Sequence, residues 1–94
     1  MLYVIAGDQS RELKVNKIIK EIKEKNPSLQ EKYFDALLGE DQLFLQQAST
    51  NSIFGGQELL VLKRAESIKK VEDLLKAIKN LDLSSKELVI SIET

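Results

Sequence analysis

Apolar and polar positions along the chain follow two rhythms. The stretches "LYVIAG", "QELLVLKRA" and "KELVISIE" are near-continuous apolar runs bounded by charged residues or glycine. Runs of this length and density predict strands buried on both faces. Between the first two, Val15, Ile18, Ile19 and Ile22 recur at i, i+3, i+4 and i+7. That spacing predicts a helix over "SRELKVNKIIKEIKEKN" with one apolar stripe and a lysine- and glutamate-rich outer face. Asp8 or Ser10 is placed to cap its start, and Asn26-Pro27 to close it. Ile68, Val71, Leu74, Leu75, Ile78 and Leu81 predict a second amphipathic helix, with Ser67 as its cap.

The middle of the chain is less regular. "EKYFDALL" pairs strand-favouring Tyr33 and Phe34 with charged Glu31, Lys32 and Asp35, a pattern suited to an edge strand. After Gly39, "EDQLFLQQA" predicts a short helix with Leu43, Phe44 and Ala48 turned inward. "STNSIFGG" predicts a loop that carries an isolated Ile53-Phe54 pair. The order is β-α-β-α-β-α-β in one domain over 1–94. Alternation of this kind predicts an α/β fold: a three-layer parallel sheet with helices on both faces.

Composition narrows the chemistry. Fourteen basic and fifteen acidic residues give a net charge of −1, which argues against strong non-specific attraction to nucleic acid or acidic membranes. With no cysteine and no histidine, disulfides, thiolate nucleophiles, the commonest general base and the commonest zinc ligands are excluded. The opening "MLYVIAG" is too short and lacks the basic leader for a signal peptide or a span, so a cytoplasmic protein without membrane contact is expected.

A strand that ends in "AGDQS" invites a nucleotide-binding reading, and the residues do not support it. A phosphate loop needs closely spaced glycines, then a lysine and a hydroxyl at fixed offsets. Here Gly7-Asp8-Gln9-Ser10-Arg11 has no second glycine before Gly39, and Asp8 adds negative charge at the phosphate position. The strand Leu59–Leu62 ends in Lys63-Arg64, where a magnesium-holding acid would belong. No cofactor and no metal are expected, and no catalytic residue is assigned. Glu21 and Glu24 with Lys20, Lys23 and Lys25 read as a solvated helix face. Lys63, Arg64, Lys69, Lys70, Lys76 and Lys79 make the middle of the chain basic. A solvated face accounts for them better than a DNA-facing patch.

This element order, without either ATP motif and carrying "ASTNSIFGGQELLVLKRAE", resembles the N-terminal domain of the delta subunit of bacterial DNA polymerase III, part of the clamp loader. The matching residues are Ala48 through Ser52, Ile53-Phe54-Gly55, the strand Leu59–Leu62, and Lys63-Arg64-Ala65-Glu66. "LYVIAGDQ" resembles the family's first strand and turn. The resemblance implies an AAA+/P-loop-like topology without a functional P-loop, in the first of three domains of a longer chain. It implies clamp binding through Ile53 and Phe54, flanked by Ser52 and Gly55, and opening of the sliding clamp (the beta subunit) without ATP hydrolysis by this subunit. Gamma/tau, delta prime and, through the assembled complex, primed DNA are the further partners it implies. The glutamine that usually stands four residues before the apolar pair is replaced by Ser49; Gln46 and Gln47 are displaced from it.

Two readings of Ile53-Phe54 compete. Composition alone favours a plug on the core; the resemblance, with Asn51, Ser52, Gly55 and Gly56 around the pair, favours an anchor for a partner. A small nucleotide- or ligand-binding α/β domain is the alternative function. A response-regulator-like switch would need clustered acids at strand ends, where Gly7, Lys63 and Glu93 stand instead. In the strand order that the resemblance implies, a later strand flanks the first. With none predicted within 1–94, "LYVIA" is expected to be an open edge that promotes dimerisation.

Overall fold

The computed structural model describes residues 1–50 and 56–94. Four strands, β1 (Leu2–Gly7), β2 (Gln30–Asp35), β3 (Glu58–Lys63) and β4 (Lys86–Glu93), form one sheet in the order β1-β4-β3-β2. All three pairings are parallel, with Leu2 opposite Leu88, Leu60 opposite Leu88 and Lys32 opposite Leu60. Helices α1 (Arg11–Lys25), α2 (Asp41–Ser49) and α3 (Val71–Lys79) alternate with the strands. The expected α/β class, element order and parallel sheet are therefore present.

Burial follows strand alternation. Side chains that project to one face of the sheet, Ile5, Leu59, Val61 and Val89, pack with Val15, Ile19 and Ile22 of α1. On the other face Leu60, Leu62, Leu88 and Ile90 pack with Phe44 and Ala48 of α2 and Leu74 and Ile78 of α3. The central strands β3 and β4 are covered on both faces, which is why their apolar runs are continuous rather than alternating; β1, expected to be buried on both faces, lies at the sheet edge with only Ile5 buried and Val4 and Ala6 exposed. Phe44 is fully buried and meets Phe34 edge-to-face, with ring centroids 5.7 Å apart.

Several boundaries differ from the sequence expectation. The edge strand stops at Asp35; Ala36–Leu38 form a 3₁₀ turn instead of continuing it. The Asp35 carboxylate accepts from the Leu37 N–H, and Gly39 takes a left-handed φ of 79°, so the chain turns towards α2. Leu43, expected inward, is exposed, because Phe44 and Ala48 occupy the inward positions of a helix only nine residues long. Helix α3 begins at Val71, not near Ile68. Ser67 lies in a preceding 3₁₀ turn and donates to the Arg64 carbonyl at 2.8 Å, so it does not cap the helix. At α1 neither Asp8 nor Ser10 caps the helix through its side chain: Ser10 is the N-cap residue, and the Asp8 carboxylate accepts from the N–H and hydroxyl of Ser10 in the turn before the helix.

Candidate functional site

The C-terminal ends of parallel strands are where α/β proteins usually hold ligands. At that rim the exit of β1 is a tight turn built on its own side chains. Ser10 holds the Asp8 carboxylate at 2.9 Å through its N–H and 2.6 Å through its hydroxyl, which pulls the carboxyl below its ordinary range. Arg11 opens α1 and is buried beneath the turn. Its Nε donates to Ser91 Oγ at 3.1 Å and its Nη1 to the Asp8 carbonyl at 3.0 Å. A guanidinium thus ties β1's exit to the end of β4. Sequence reading gave Arg11 no role; an arginine among charged helix residues carries no signal of burial.

At the same rim, Arg64 pairs with Asp35 through Nε at 2.9 Å and also through Nη2. The guanidinium holds the Asp35 carboxyl below its usual range. Arg64 adopts a left-handed φ of 56°, and this turns the chain abruptly after β3. Lys63 lies over the Tyr33 ring, 5.3 Å from its centroid. The Lys63-Arg64 pair is thus engaged with neighbouring side chains of the fold.

The opposite, N-terminal rim contains a buried polar cluster. The Glu58 carboxylate opens β3 and binds the Lys86 ammonium, with both side chains almost fully enclosed. Lys32 reaches it at 3.3 Å, and Gln47 of α2 donates to it at 3.0 Å. Burial alone would raise the Glu58 carboxyl, but Lys86 and Lys32 outweigh burial and the net shift is downward.

This cluster stands where the chain re-enters the sheet after residues 51–55. Ser52, Ile53, Phe54 and Gly55, the candidate partner-binding residues, lie outside the described residues. Their two flanks are well fixed. On the α2 side, the Gln46 carbonyl accepts from Ser49 Oγ at 3.0 Å and from Thr50 Oγ1 at 2.7 Å. On the β3 side, the Gln57 carbonyl accepts from the Gln30 N–H at 3.1 Å, and its side-chain oxygen accepts from Asn26 Nδ2. Glu58 follows at once. Of the two glutamines considered for partner contact, Gln47 is committed to Glu58, whereas Gln46 is exposed.

A groove of about 430 Å³ opens at the same rim, between α1 and β1. Tyr3, Ile18, Glu21, Leu29, Gln57 and Glu87 line it. Burial raises the Tyr3 hydroxyl, and the nearby Glu87 and Glu21 carboxylates raise it further. Of the exposed leucines, Leu13 lies on α1, and Leu37, Leu38 and Leu43 lie just before or within the start of α2, at the far end of that helix from Thr50. Among the described residues, no helix is long and apolar enough to cross a membrane. No protein-family model, curated protein or solved structure matches the chain.

Proposed function

We propose that this chain is the N-terminal domain of a clamp-loader delta subunit. In this reading it has the three-layer AAA+-like arrangement, and it binds and opens the sliding clamp with Ile53 and Phe54, flanked by Ser52 and Gly55. The observation that carries the reading is the pair of fixed flanks. Thr50 is hydrogen-bonded onto α2, while Gln57 and Glu58 are locked into the sheet, so a short segment with an apolar pair is held between two firm attachments. A pre-organised frame lowers the ordering cost that a flexible recognition loop would add to binding.

Two further features support it. The parallel order β1-β4-β3-β2 leaves β1 outermost, where the AAA+-like order has room for one more strand. The turn after β1 is closed by Asp8 and underlain by Arg11, an arrangement suited to a scaffold and not to a phosphate cradle. A binder needs no chemistry to open a ring. It has to favour the open form over the closed one, and the clamp loader's motor subunits would gate its access to the ring.

The test is an equilibrium binding measurement between this chain and a bacterial sliding clamp, with the Ile53→Ala/Phe54→Ala variant alongside. Binding that the double substitution weakens supports the proposal. An unaltered affinity, or no binding by the unmodified chain, overturns it.

A further inference from the structure

The two outer edges of the sheet are built differently. On β2, Gln30, Glu31, Lys32 and Asp35 place charge or polarity at four of six positions. Edges protected in this way resist pairing with another chain. On β1, Leu2-Tyr3-Val4-Ile5-Ala6-Gly7 has no charge and no proline, and its register with β4 runs without a bulge.

The phase of the ladder identifies which backbone groups point outward. The Leu88 N–H donates to the Met1 carbonyl, and the Thr94 N–H donates to the Gly7 carbonyl, each at 2.9 Å. Odd-numbered residues of β1 therefore turn their backbone groups towards β4. Leu2, Val4 and Ala6 turn theirs away from the sheet. Among the described residues, no strand pairs with that side. The side chains of the same three residues lie on the sheet face that α2 and α3 leave partly open: Leu2 is half-buried, Val4 is 44% exposed and Ala6 is exposed.

We propose that β1 pairs antiparallel with β1 of a second copy of this chain, about a two-fold axis through Val4. In this register Leu2 faces Ala6 of the other copy and Val4 faces Val4. Each facing pair exchanges both of its hydrogen bonds, so every outward N–H and C=O of these residues is satisfied. Sliding the register by two residues leaves one of the three outward-facing residues without such a partner. A parallel pairing of the same two edges cannot be two-fold symmetric. In a parallel ladder, a residue whose groups point across bonds to the neighbours of one whose groups point away. The antiparallel arrangement also places Leu2, Val4 and Ala6 of both copies on one face, where they continue the apolar surface of Ile92. The edge is self-complementary in hydrogen bonding and in side-chain character, which is what an isologous interface requires. This inference does not rest on the clamp-loader reading and competes with it for one edge: a further strand beside β1 in a longer chain would take the groups that the second copy uses, so the pairing is proposed for residues 1–94.

The experiment is sedimentation equilibrium of the 94-residue chain over a range of concentrations, combined with amide hydrogen exchange. The expected result is a mass that rises to that of a dimer, with protection of the Val4 and Ala6 amides rising in parallel. Val4→Lys sets like charges face to face, and Val4→Pro removes an outward donor without touching the β4 ladder. Both are expected to abolish the dimer with the circular dichroism of the fold retained, while Leu38→Lys on a distant exposed site leaves it intact. A wild-type chain that stays monomeric overturns the proposal. So does a dimer that survives Val4→Lys, or one whose formation leaves the Val4 and Ala6 amides unprotected. If Val4→Pro fails to fold, Val4→Lys and the exchange pattern decide.

Discussion

The Glu58 carboxylate and the Lys86 ammonium face each other at the N-terminal ends of neighbouring strands, each side chain at most 3% exposed. Two charges enclosed to this degree lose most of their hydration, and each is tolerable only because the other is present. Lys86→Met leaves Glu58 buried with Lys32 as its one remaining cation, and unfolding measurements should register a loss of about 3 kcal/mol or more. The Glu58→Met/Lys86→Met double variant removes both charges and should be more stable than Lys86→Met. If the double variant is the less stable one, the pair is not acting as a coupled unit.

Acid should destabilise the fold over a definable range. The carboxyls of Asp8, held by Ser10, Asp35, held by Arg64, and Asp82, held by the Ser84 N–H, all lie below their ordinary values. Glu58, despite its burial, is likewise held down by Lys86 and Lys32. A group whose folded pKa is depressed contributes its stability in full above its unfolded pKa, about 4 for carboxyls, and loses it as pH falls through the folded value. Urea midpoints should be flat above about pH 5.5 and fall progressively below about pH 4.5. Glu58→Gln should make that fall shallower.

Adjacent residues of α2 should respond in opposite ways to truncation. Phe44 is fully buried against Phe34, so Phe44→Ala should cost about 3–5 kcal/mol. Leu43 is 54% exposed, and Leu43→Ala should change stability by about 0.5 kcal/mol or less. Comparable losses at both positions would contradict the orientation of this helix.

For the segment between Thr50 and Gly56, binding and stability should separate. Insertion of Ile53 and Phe54 into a partner pocket is worth about 1.5–3 kcal/mol for each side chain. The Ile53→Ala/Phe54→Ala chain should then bind the clamp roughly 10²–10⁴-fold more weakly, with its melting temperature nearly unchanged. A large drop in melting temperature would identify the pair as a plug on the core.

Arg11 offers a test of the rim opposite that segment. Arg11→Ala removes the bonds to Ser91 and to the Asp8 carbonyl and opens space under the β1 turn. A destabilisation of about 2 kcal/mol is expected from thermal unfolding, and Arg11→Lys should restore only part of it, because an ammonium cannot reproduce the two-sided fork.

Strands with both faces covered announce themselves by unbroken apolar runs, so β4 was legible to its ends and β3 in its Leu59–Leu62 centre, as was the Val15–Ile19–Ile22 stripe of α1; the similar run of β1 misled, because that strand lies at the sheet edge. What escaped was decided by partners distant in sequence. Arg11 is buried because Ser91 is within reach, and Glu58 because Lys86 and Lys32 converge on it; no local pattern encodes either pairing. Ser67 looked like a cap by residue type, but the left-handed turn at Arg64 moved the helix start to Val71. Leu43 was misjudged because, in a helix this short, neighbouring apolar residues leave the position of the inward face undetermined by spacing alone.

β1 hydrogen-bonds to β4, far along the sequence from it, with Leu2 set against Leu88 and Ala6 against Ile92. During synthesis from the amino end, Leu2–Gly7 would emerge from the ribosome well before β4, their one partner among the described residues, exists. Until Lys86–Glu93 follow, that uncharged extended run would stand without β4 beside it, open to holdase chaperones or to nascent neighbours on the same message.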